Sequence, residues 1–190
     1  MARIPYPTDV DPDLVESQRP DSLPDRYAHL EQQAARNVYR SVAHEPELVE
    51  ALRGFIGAAW EHAGLSDRER ELVILALARE VDAAYEWHQH VRIAILEGID
   101  PEEILAVARN DPGPFSQGER ALMEYARAAA TTSASDEDVE RLASAHSPAD
   151  IAGITSLVGA YVGLAVILDA LDVETEEPFV GWDLEGLERD

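Results

Sequence analysis

Residues 65–75 read Leu-Ser-Asp-Arg-Glu-Arg-Glu-Leu-Val-Ile-Leu, and Ser66 placed three residues before Glu69 marks the start of a helix. The serine hydroxyl accepts from an exposed backbone amide, while the glutamate reaches back to the amide of the serine itself. The same signal recurs at Asp100 with Pro101 and Glu103, Ser116 with Glu119, Ser135 with Asp138, and Ser147 with Pro148 and Asp150. No segment shows the alternation and turn residues of a hairpin. The chain therefore reads as all-α, with helices over about 26–42, 46–63, 67–80, 83–97, 101–109, 117–130, 136–145 and 148–171. Gly64 and Gly98 fall where C-terminal caps are expected.

With 190 residues and 20.9 kDa, one domain with a full hydrophobic core is the simplest organisation. Residues 1–25 contain Pro5, Pro7, Pro12, Pro20 and Pro24 and read as an extended arm. Residues 26–172 form the helical domain, and 173–190 an irregular acidic tail with Trp182 as a possible anchor. Residues 151–168 carry no charge, which satisfies the length criterion for a membrane span. The acidic flanks Asp150, Asp169 and Asp172 and the interrupting Gly153, Thr155, Ser156 and Tyr161 favour instead a buried or subunit-interface helix. Gly159 and Gly163 would allow close packing there.

The chain has no cysteine, and all 15 of its basic residues are arginine, against 38 acidic ones, for a formal charge of −23. Thiol redox chemistry and Schiff-base catalysis are excluded, because the first needs a thiolate and the second an amine. A cysteine-based zinc site is excluded as well. The charge opposes nucleic-acid binding and a polybasic membrane anchor. It also predicts self-repulsion in dilute salt, relieved as the Debye length falls to about 3 Å at 1 M. Acidic surplus with complete lysine depletion resembles the proteins of salt-in halophiles. No basic, apolar leader opens the sequence, so a cytoplasmic location is expected.

Residues 85–90, Tyr-Glu-Trp-His-Gln-His, are the most chemically loaded segment. At about 100° per residue, Ala84, Trp87, Val91, Ala94 and Ile95 form an apolar stripe, with Glu86 and His90 together on its border. Such a pair suits acid/base work; it is equally an ordinary intrahelical pair. His88 lies about 200° from His90, which makes a poor chelate and places His88 at a surface or interface. No third metal ligand is evident. Tyr85 and Trp87 serve either as core or as a substrate platform. Arg79 and Arg92 are candidates to hold a substrate carboxylate, although Arg92 points away from the pair.

Together with Gly98-Ile-Asp-Pro-Glu-Glu, the upstream Asn37-Val-Tyr-Arg, the Pro46-Glu-Leu turn and the Gly159-Ala-Tyr161 region, these segments resemble the carboxymuconolactone decarboxylase family over about residues 36–172. The resemblance implies an AhpD-like helical bundle. In the thiol-peroxidase branch, a glutamate is followed by two cysteines and a histidine, in a register that falls here on Glu71, Ala83, Glu86 and His90. Both redox positions are lost, so a peroxiredoxin label would not be matched by chemistry. What remains resembles the decarboxylase-like branch. It implies Glu71, Glu86 and His90 as catalytic residues, Tyr85 and Trp87 as substrate-binding, and no cofactor or metal. The substrate would be a small carboxylated or lactone-like molecule, and the assembly a homotrimer or hexamer. Local reading gives Glu71 another role, as a first-turns charge paired with Arg68. The alternative for the whole chain is a non-enzymatic oligomeric ligand-binding protein.

Overall fold

A computed structural model describes residues 2–15 and 36–186. Every regular element among these residues is a helix: α1 Pro12–Val15, α2 Asn37–Val42, α3 Pro46–His62, α4 Asp67–Glu80, α5 Ala84–Leu96, α6 Pro101–Ala108, α7 Gln117–Ala130, α8 Asp136–Ala143 and α9 Pro148–Leu171. All five expected capping boxes form. Gly64 and Gly98 take positive φ just beyond α3 and α5, a conformation that glycine adopts without a Cβ penalty.

The first helix is seen in part, and the arm departs from expectation. The helix expected over 26–42 is seen only from Asn37, residues 26–35 lying outside the described residues. The arm is not simply extended, because Pro12 at the first helical position presets a helical turn. It is also tied down. Arg3 donates from Nη1 to the carbonyls of Asp169 (2.9 Å) and Ala170 (2.7 Å), and its amide donates to Leu171 O (2.8 Å). These carbonyls lie in the last turn of α9, where that of Asp169 also accepts from Asp172 N–H and a cation is favoured by the helix dipole.

α4 is the central helix. Every residue from Leu72 to Ala78 is buried, as expected of a helix that is apolar all round. One side, with Val73, Ile74 and Leu77, joins Leu122, Ala126, Leu157 and Tyr161 in the first core. The other, with Leu72, Leu75 and Ala76, joins Trp87, Val91, Ile104 and Val107 in the second, which Val180 and Leu184 of the tail complete. α9 buries Ile154, Leu157, Val158, Tyr161, Leu164 and Leu168. By length and composition it could cross a membrane, but here this face packs in the first core. Gly153 is required by that packing, since a Cβ would meet the His62 carbonyl and Ala63 backbone of α3.

Arg68 ties three helix starts together. Its Nη2 donates to Glu103 (2.6 Å) and its Nε to Glu119 (2.7 Å), the same carboxylates that cap α6 and α7 through Asp100 N–H and Ser116 N–H. Removing it by Arg68→Ala is expected to lower stability by about 1–3 kcal/mol, allowing for partial solvent screening. Urea unfolding at high salt checks this, and an unchanged midpoint would contradict it.

Candidate active site

Glu71 projects from the second turn of α4 and His90 from the middle of α5. The two helices pack side by side, so that His90 Nδ1 lies 2.7 Å from Glu71 Oε2. Glu71 is 0 % exposed and His90 5 %. A carboxylate at this distance accepts a hydrogen bond from Nδ1–H, an arrangement that selects, in the neutral ring, the tautomer with its lone pair on Nε2. The local pairing of Glu71 with Arg68 is thereby corrected, because Arg68 is taken up by Glu103 and Glu119.

Glu86 precedes His90 by one turn of α5 but does not pair with it. It is 3 % exposed, and neither carboxyl oxygen has a hydrogen-bond partner. Burial pushes its carboxyl up to about 8, so at neutral pH it is mainly the neutral acid and a proton donor. The intrahelical pair suggested by the spacing is replaced by a cross-helix pair, Glu71 with His90, and a separate protonated glutamate.

Three further groups enclose the site. The Trp60 ring of α3 lies 5.7 Å from that of His90, and the Tyr161 ring of α9 packs edge-on at 5.0 Å. Burial raises the Tyr161 phenol well above its ordinary value, reinforced by the nearby charge of Glu71, so it stays protonated. Arg70 of α4 places its guanidinium 4.0 Å over Trp60. No spacing within one helix points to these roles, because they depend on where α3 and α9 cross α4 and α5.

The other residues singled out in the segment face elsewhere. Tyr85 donates its hydroxyl proton to Glu176 Oε1 (2.6 Å) and accepts from Val38 N–H (3.3 Å). Trp87 is fully buried, donates from Nε1 to Gly181 O (3.0 Å), and packs against Trp182. Both therefore join α5 to the tail, with Trp182 as the expected anchor. His88 is not at a surface: it is 0 % exposed and its Nδ1 accepts from Val180 N–H at 3.1 Å. Burial, reinforced by Arg92, lowers its imidazole to about 4 and keeps it neutral. Arg79 binds Asp82 and lies over Trp182, while Arg92 pairs with Glu177. Among the described residues, no group of three or more His, Cys, Asp or Glu side chains is arranged to hold a metal.

Residues 46–132, which contain Glu71, Glu86 and His90, match the carboxymuconolactone decarboxylase family. The wider fold agrees. An uncharacterised peroxidase-related protein from Ralstonia eutropha, described as an alkylhydroperoxidase AhpD core, superimposes with a TM-score of 0.73 at 18 % identity, covering 100 % of this chain and 98 % of that one. A peroxidase-related protein from Silicibacter gives 0.71 at 18 % identity, over 92 % and 97 %. A variant of the debrominase Bmp8 in complex with 2,3,4-tribromopyrrole gives 0.69 at 16 % identity, over 92 % and 95 %. At such identities the likeness establishes an AhpD-like fold and not a reaction. No curated protein matches the chain significantly.

Proposed function

We propose that this chain is an acid/base enzyme acting on a small, unsaturated carboxylated or lactone-like molecule, with decarboxylation as the leading reaction. The observation that supports it is the buried 2.7 Å contact of His90 Nδ1 with Glu71 Oε2, beside a glutamate whose carboxyl is held protonated. Two carboxyl groups in one site with unlike environments suit opposite roles.

His90 Nε2 is the general base and Glu71 holds the ring in the required tautomer. Glu86 is the general acid. In a decarboxylation, His90 Nε2 takes the proton of the substrate's carboxyl group, the bond from carbon to the carboxylate so formed breaks, CO2 departs, and the electron pair enters the unsaturated system of the substrate. Glu86 then delivers a proton to that carbon. The scheme uses no cofactor and no lysine. Thiol-dependent peroxide reduction is not available to it, since the chain has no cysteine. Unsaturated carboxylactones screened in molar salt, with CO2 followed directly, test the proposal; no CO2 from any of them would remove decarboxylation.

A second reading is a non-enzymatic oligomer that binds a small molecule. It draws on the location of two cavities, neither of which includes Glu71, Glu86 or His90. One of about 550 Å³ lies between α1 and α3, along Leu14, Arg53, Gly54 and Gly57; a small one of about 20 Å³ lies between α6 and α7. In either case we expect a cytoplasmic homotrimer or hexamer adapted to high salt. α9 exposes Ala152, Thr155, Ser156, Gly159, Gly163 and Val166, a face without charge on a chain of net charge −23, where two copies could approach with least repulsion. Val166 is 63 % exposed. Val166→Glu is expected to move the assembly towards monomer by light scattering; an unchanged mass would place the interface elsewhere.

A further inference from the structure

Of the buried polar atoms that lack a hydrogen-bond partner, Arg70 Nε and Glu71 Oε1 face one another across 3.6 Å. That gap is too long for a hydrogen bond, but it is short for two opposite charges out of water. The guanidinium is held there from two other sides. Its Nη2 binds Asp67 at 2.8 Å and its plane lies on the Trp60 ring, which in turn touches His90.

An ordinary ion pair with Asp67, three residues earlier on the same helix, would leave Arg70 in water and contribute little. The observed exposures differ sharply: the Asp67 side chain is 66 % exposed and that of Arg70 only 9 %. A cation drawn this far inwards loses hydration that an exposed carboxylate does not replace, so a buried anion is required. Glu71 is that anion. Glu97, the C-cap of α5, also interacts electrostatically with Asp67, Arg70 and Glu71, but it is exposed. Glu86, also buried, makes no hydrogen bond with either carboxyl oxygen and has no such cation beside it.

We propose that Arg70 is a positioning residue: fixed by Asp67 and the Trp60 ring, it holds the Glu71 carboxylate so that Oε2 accepts the Nδ1 proton of His90 and Nε2 is left as the reactive nitrogen. This rests on the acid/base reading of Glu71 and His90. It assigns to Arg70 a part in tautomer control that packing alone would not give it.

The test is nitrogen NMR of the full chain labelled with ¹⁵N-histidine, in molar salt, at a pH where the His90 signal is that of the neutral ring. His90 is assigned by its loss in His90→Gln. The wild type is expected in the Nδ1–H form. In Arg70→Gln the ratio of Nδ1–H to Nε2–H is expected to fall about tenfold, as the charge-assisted geometry is lost, and in Arg70→Lys to recover in large part. A wild-type ratio in a folded Arg70→Gln protein would overturn the proposal. Should that variant not fold, Asp67→Asn at the exposed position is measured instead, with a fall of about twofold expected and no change overturning the proposal. Glu71→Gln separates the two layers: an unaltered ratio there overturns the acid/base reading itself, whatever Arg70 does.

Discussion

His90→Ala is expected to lower kcat by about 10²–10⁴, the usual contribution of a positioned proton-transfer group, with a much smaller effect on KM. The substitution removes the Nε2 base while leaving the apolar walls of α3 and α9 in place. It also strips Glu71 Oε2 of its 2.7 Å partner. A buried carboxylate oxygen left without its hydrogen-bond donor costs about 1–3 kcal/mol, so lower stability should accompany the lost activity even with Arg70 still facing Oε1. Glu71→Gln separates the two effects. It keeps the shape and the base but no longer holds the tautomer, and a smaller drop of about tenfold to a hundredfold is expected. Steady-state kinetics on any substrate found in the carboxylactone screen decides the matter, and full activity in His90→Ala would remove this residue from the chemistry.

Glu86→Gln is expected to abolish a pH dependence that the wild type shows in both stability and rate. Folded Glu86 releases its proton near pH 8, against an ordinary value of 4.5. Between those values the folded chain binds more protons than the unfolded one, so stability is full below about 4.5 and is lost as pH rises through about 8. The loss amounts to about 3–5 kcal/mol, as an order of magnitude for a carboxyl buried without a partner. His88 acts in the opposite sense at lower pH. Its imidazole is lowered to about 4 from 6.5, so the stability it contributes above pH 6.5 is lost as pH falls towards 4. Unfolding measured from about pH 6.5 to 9.5 therefore isolates Glu86. The wild type should weaken up to about pH 8 and level off above it, while Glu86→Gln should stay level throughout and become the more stable of the two at the alkaline end. The alkaline fall in kcat near pH 8 should likewise disappear in the variant, at a lower plateau because the donor is gone. Parallel stability curves for the two proteins would show that Glu86 does not ionise in this window.

The helices were legible in the sequence because their starts are local. A serine or aspartate and an acidic residue three positions later complete a capping box within one turn, and all five formed where expected. The α9 span is also local in origin, with Ser147 and Pro148 at its start and an uninterrupted apolar run behind them. Glu71 and His90 are nineteen residues apart, and spacing within α5 could not pair them. Only the family register pointed to Glu71, and only the packing of α4 against α5 showed that it, and not Glu86, meets the imidazole.

The position of the tail was equally hidden. Helical geometry correctly separated His88 from His90, but an outward direction from the stripe does not mean solvent when Phe179, Val180 and Trp182 fold back over that face of α5. Arg70 reads as one more charge in a crowded helix start until Trp60, from the preceding helix, is seen beneath it.

By itself the sequence determined the helical class, the helix starts, the absence of thiol and amine chemistry, and the polyanionic character of the chain, since each follows from residue identity or from contacts within a turn. Tertiary structure alone decided which glutamate holds His90, which is kept protonated, and why Tyr85, Trp87 and His88 turn to the tail. The physical reason is that these outcomes depend on burial and on charges brought together from α3, α4, α5 and α9, and proton affinity follows the surroundings of a group, not its place along the chain.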